Sequence, residues 1–76
     1  MTKYPTLYTV TYWAEDVSKC ITAHGLLYAE TPGDAITQLE DWYGANEISS
    51  FSVHMLEAGL FEITAEERQG FLKRYF

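Results

Sequence analysis

The sequence predicts a single α+β domain, β-β-α-β-(β)-α, in which helices cover one face of a small, mostly antiparallel sheet. Three observations carry this. Leu7–Ala14 and Lys19–Glu30 are two runs rich in β-branched and aromatic side chains, joined by four residues. Thr31-Pro32-Gly33-Asp34 then breaks the strand pattern with helix-start chemistry, and Thr64-Ala65-Glu66-Glu67 does so again near the end. At 76 residues the chain has room for one domain, 1–76, and one modest core.

The first two runs form a hairpin through Glu15-Asp16-Val17-Ser18. If Ala14 faces Lys19, then Tyr12 faces Ile21, Val10 faces Ala23 and Tyr8 faces Gly25, where an aromatic ring covers a residue without a side chain. The same register puts Leu7, Thr9, Thr11 and Trp13 on the other face, opposite Leu26, His24, Thr22 and Cys20.

Thr31 suits a helix N-cap and Pro32 the first helical position, while Asp34 complements the positive helix end. Ala35, Ile36, Leu39, Trp42 and Tyr43 recur at spacings of three and four, and Gly44 ends the helix. Phe51, Val53 and Met55 alternate with Ser50, Ser52 and His54, a third strand over Ile48–Glu57. Leu60–Ile63 reads either as a short fourth strand or as an extended arm on the core. A capping box at Thr64 and Glu67 opens a terminal helix to Phe76, with Lys73 and Arg74 in its last turn and Gly70 weakening it. A right-handed crossover through the first helix favours strand order 2-1-3.

Composition bounds the function. With 47% hydrophobic and 16% aromatic residues the chain is far from the composition of disorder. The lone Cys20 makes no internal disulfide, and no stretch reaches the length of a signal or membrane-spanning segment, so a cytoplasmic location is expected. A net charge of −6 repels phosphate backbones and favours a basic partner.

Catalytic and metal chemistry find little purchase. Cys20 and His24, four apart on one strand, lie ~13 Å from each other, too far for a nucleophile and its base. His24 and His54 share the outer face; if the first strand separates them they are about 10 Å apart, too far to share a metal, and if the third strand instead borders the second they could approach but two His alone make a weak zinc site. The expectation is a protein with no catalytic residues, metal or cofactor. Trp13 and Tyr28 on a sheet face fit base stacking, yet Lys19 is the only basic residue between Tyr4 and Phe61. Direct nucleic-acid binding is therefore disfavoured.

Two features remain. Leu7, Trp13, Leu26, Tyr28 and Leu56 fall on the outer sheet face, forming either an exposed interface or, if the terminal helix crosses it, a second core. Glu40 and Asp41 stand at the unfavourable end of the first helix beside Trp42 and Tyr43, and no basic residue on that helix offsets them. Trp42 and Tyr43 are either core or contact residues for a cationic partner.

The runs Leu7–Asp16, Leu27–Ile36 and Leu39–Gly44 together resemble small accessory proteins of phages and mobile elements, a group that includes anti-CRISPR inhibitors of host defence. That resemblance implies a cofactor-free stoichiometric binder of a host protein and assigns no individual residue. The expected function is a non-enzymatic protein-binding module that masks a basic surface in the host cytoplasm. Its expected contacts are Glu40, Asp41, Trp42, Tyr43, Trp13, Glu15, Asp16, Leu26 and Tyr28. The alternative is a homodimeric scaffold subunit joined through the outer face.

Overall fold

The alternating hairpin residues form the two strands their register demands. In the computed structural model, which describes residues 2–56 and 58–75, β1 (Tyr4–Ala14) and β2 (Lys19–Ala29) pair antiparallel, with Ala14 opposite Lys19 and Tyr8 opposite Gly25. The ring of Tyr8 lies directly over Gly25: a Cβ there would stand 3.0 Å from the Tyr8 hydroxyl. At the turn Ser18 takes a positive φ of 53° and its N–H donates to the Glu15 carbonyl.

Helix α1 (Pro32–Tyr43) starts where capping chemistry places it. The Asp34 N–H donates to Thr31 Oγ1 (3.0 Å), and the Asp34 carboxylate accepts from the Glu30 N–H (3.0 Å). At the far end Gly44, at φ 88°, donates its N–H to the Glu40 carbonyl. Ala35, Ile36 and Leu39 are buried against the sheet.

The third strand, β3 (Ile48–Met55), pairs antiparallel with β1, and β4 (Gly59–Thr64) pairs antiparallel with β3, which settles Leu60–Ile63 as a strand. The sheet order is β2-β1-β3-β4, so the first strand is central as the crossover requires. The expected end of the third strand, Glu57, and of the terminal helix, Phe76, lie outside the described residues. After Thr64 one turn of 3-10 helix (Ala65–Glu67) precedes α2 (Arg68–Tyr75), where the sequence predicts continuous α-helix. The Glu67 carboxylate accepts from both the N–H and the hydroxyl of Thr64.

Both helices lie on one face. Val10, Leu27, Ala29, Ile36, Leu39, Phe51, Val53, Met55 and Ile63 form the core between them and the sheet. Phe71 anchors α2 edge-on against Phe61, with ring centroids 5.6 Å apart, and Tyr75 completes a three-ring cluster.

Candidate functional site

One face of the sheet is left bare, and strand alternation decides which side chains it displays. On β1 these are Leu7, Thr9, Thr11 and Trp13; on β2, Cys20, Thr22, His24, Leu26 and Tyr28. Leu7 is 60% exposed, Leu26 52%, Tyr28 56% and Leu56 74%. The terminal helix does not cross this face, so these groups are surface and not a second core.

The bare face has two zones. At the end where β1 begins, Leu7 lies opposite Leu26 on one side and His54 on the other, and Leu56 and Pro5 complete a shallow apolar groove. Leu60, opposite His54 on β4, extends the same apolar end. Beyond it a broad trough of about 460 Å³ is lined by the hydroxyls of Thr9, Thr11, Ser50 and Ser52 and flanked by Glu62 and Glu67. The hydroxyls of Thr11 and Thr22 lie 3.2 Å apart in a cross-strand hydrogen bond. No outward-facing strand position carries Lys or Arg.

The nine expected contact residues occupy separate places. Leu26 and Tyr28 belong to the apolar end of the bare face, whereas Trp13, 46% exposed and opposite Cys20, stands at the other end. Six steps of extended strand from Cys20 to Leu26 put these ends ~20 Å apart. Glu15 and Asp16 are exposed in the hairpin turn beyond Trp13.

Glu40, Asp41, Trp42 and Tyr43 lie on the helix-covered side of the sheet and do not share one direction. Successive helical side chains rotate by about 100°, so four in a row sweep most of the circle. Glu40 points toward α2, where it forms an ion pair with Arg68. Its side chain is 12% exposed, so the charge at the unfavourable helix end is offset from the second helix. Asp41 is exposed.

Trp42 is 52% exposed at the flank of the apolar stripe, packed edge-on to Tyr8 at 6.0 Å. Tyr43 turns inward, its ring 4.8 Å from that of Tyr12 and its hydroxyl 3.0 Å from that of Tyr8. That hydrogen bond to Tyr8, followed by desolvation, raises the Tyr43 pKa above 10.0. Of this corner, Asp41 and Trp42 remain accessible.

Pro5 and Leu60 of the apolar end and Glu62 and Glu67 of the trough are not among the residues expected on the outer face, and His54 is expected on that face but not as a contact. Pro5 and His54 were legible from the register that carries Leu7, whereas Leu60, Glu62 and Glu67 required the fourth strand to be fixed first. Cys20 is exposed, and β1 separates His24 from His54. Among the described residues no three His, Cys, Asp or Glu side chains converge as metal ligands.

The fold and the bare face thus define a small α+β domain with one helical layer. No family model, curated protein or solved structure matches the chain. Among the described residues no helix is long and apolar enough to cross a membrane.

Proposed function

We propose that this chain is a non-enzymatic protein-binding module whose bare sheet face docks on a basic surface of its target and blocks it stoichiometrically. The resemblance to phage and mobile-element accessory proteins makes a host defence protein the candidate target and the host cytoplasm the place of action. The observation that carries the reading is the uncovered cluster of Leu7, Leu26, Tyr28, Leu56 and Leu60 in a domain whose helices and buried core lie on the other face of the sheet. Large exposed apolar side chains gathered at one end, rimmed by hydroxyls, are the anatomy of an interface centre and its rim. Glu62 and Glu67 beside the trough, with no outward cation on the strands, supply the complement to Arg or Lys on the partner.

The test is capture from the native host followed by binding measurements with the purified partner. Leu7→Ser together with Leu26→Ser is expected to weaken the complex at least tenfold while leaving the fold intact, and added salt is expected to weaken it further. A complex that keeps its affinity in the double variant overturns the reading. Glu62→Lys, which leaves the Glu67 contacts with Thr64 in place, isolates the electrostatic part: affinity for a basic partner should fall, chiefly through slower association.

A further inference from the structure

The two edges of the sheet are treated differently by this chain. Backbone directions follow from two contacts. The Trp13 N–H donates to the Glu47 carbonyl, and the Thr11 carbonyl accepts from Ser49 Oγ, so the odd residues of β1 turn their backbone groups toward β3. The even residues of β1 therefore bond β2, where they face odd partners such as Leu27, Gly25 and Ala23. The even residues of β2 are left pointing off the sheet.

Gln38 provides an independent check, since its Nε2 donates to the Tyr28 carbonyl (2.8 Å) from outside the strand. That contact also closes the edge at Tyr28. Cys20, Thr22, His24 and Leu26 remain with outward N–H and C=O groups that meet nothing among the described residues.

At the opposite edge the same reasoning leaves Leu60, Glu62 and Thr64 facing outward on a six-residue strand. There the Thr64 N–H is taken by the Glu67 carboxylate and Glu62 places a charge beside the backbone, both common ways of guarding an edge. On β2 no charged residue occurs between Lys19 and Glu30.

We propose that the β2 edge is a self-pairing surface: two copies of the chain join antiparallel along Cys20–Leu26 about a two-fold axis at Ala23. The four open residues define that axis, because Ala23 is their midpoint. Cys20 then pairs with Leu26 of the second copy and Thr22 with His24, and all four residues exchange N–H···O bonds with their counterparts. The two four-stranded sheets become one of eight strands, four from each copy. A second copy is the fitting occupant because a chain of net charge −6 is met along an edge that carries no acidic residue from Cys20 to Leu26. The bare faces of the two copies would then lie side by side, presenting two equivalent docking surfaces.

Sedimentation of the full chain over a range of concentrations up to hundreds of micromolar tests this directly. A dimer is expected, and salt should strengthen it by screening the repulsion between two acidic chains. That is the reverse of the salt response expected for a basic partner, so the two proposals fail separately. Thr22→Pro removes an N–H that the single chain does not use, and it should weaken the dimer at least tenfold.

Ala23→Cys in a Cys20→Ser background places two thiols at a non-hydrogen-bonded pair with Cα atoms about 4.5 Å apart, where mild oxidation should cross-link the copies. If Thr22→Pro fails to fold, the cross-link decides alone. A chain that stays monomeric at high salt and high concentration, or a dimer that Ala23→Cys does not cross-link, overturns the proposal.

Discussion

The two faces of the sheet are made from alternate residues of the same four strands, yet they differ in almost every physical respect. The face beneath the helices buries Val10, Leu27, Phe51, Val53 and Ile63, each at most 4% exposed. The other presents Leu7, Leu26 and Leu60 at more than half exposure, one residue along the chain or one place across it. Hydrophobicity alone does not separate the faces. The supply of helix does: α1 has twelve residues and α2 eight, enough to cover one side of the sheet, and both stay there. An apolar residue on the second side is therefore left at the surface.

The largest expected effect breaks the comparison most sharply. Leu39→Ala, which empties a fully buried position of α1, should cost about 2–5 kcal/mol in urea unfolding. Leu26→Ser on the bare face should change stability by no more than about 0.5 kcal/mol while lowering affinity for the partner. Equal losses in the two variants would mean that the bare face is packed against something in the folded protein. Next comes the joint between the helices. Arg68→Met leaves the Glu40 carboxylate, 12% exposed, without its cation, and a loss of about 1–2 kcal/mol is expected, moderated because the Arg68 side chain is itself one-third exposed. Adding Glu40→Gln to that variant should recover part of the loss, because the unpaired charge is then gone.

Thr31→Ala follows at about 1 kcal/mol, since it removes the acceptor for the Asp34 N–H at the start of α1. This cap is also where the fold was most legible. Local chemistry dictated it: a cap residue, a proline with no N–H to lose and an acid at the helix start all fall within four residues. The hairpin register was legible for a similar reason, because Gly25 has room for the Tyr8 ring and its neighbours along the strands do not.

Legibility failed where a residue answers to distant chain. Nothing near Glu40 in the sequence points to Arg68, twenty-eight positions on, so an apparently unbalanced acid looked like a binding feature. Glu40 to Tyr43 looked like one patch because they are adjacent, although helical rotation separates their directions. The bare face itself was legible by parity; what sequence left open was which side the last helix would take. That choice rests on Phe71 meeting Phe61, a contact available only once β4 has joined the sheet.

The smallest expected effect lies at the rim between the two faces, where the hydroxyls of Tyr8 and Tyr43 share a hydrogen bond in a half-buried setting. That bond favours the protonated Tyr43 phenol, so its pKa in the folded chain stands above the unfolded value of 10.0. A group whose folded pKa is raised contributes stability that is complete below the unfolded pKa and is lost as pH climbs through the folded one. Wild type should therefore exceed Tyr8→Phe in unfolding free energy near neutrality, by less than the Thr31 cap is worth, and the gap should narrow over the range above about pH 10, as pH climbs through the raised Tyr43 pKa. Leu26→Ser, on the opposite face of the sheet from the Tyr8–Tyr43 hydrogen bond, should follow the wild-type profile above about pH 10. A gap between wild type and Tyr8→Phe that stays constant over that range would show that the Tyr8 hydroxyl bonds water in preference to Tyr43, and that the covered face ends one ring earlier, at Tyr12.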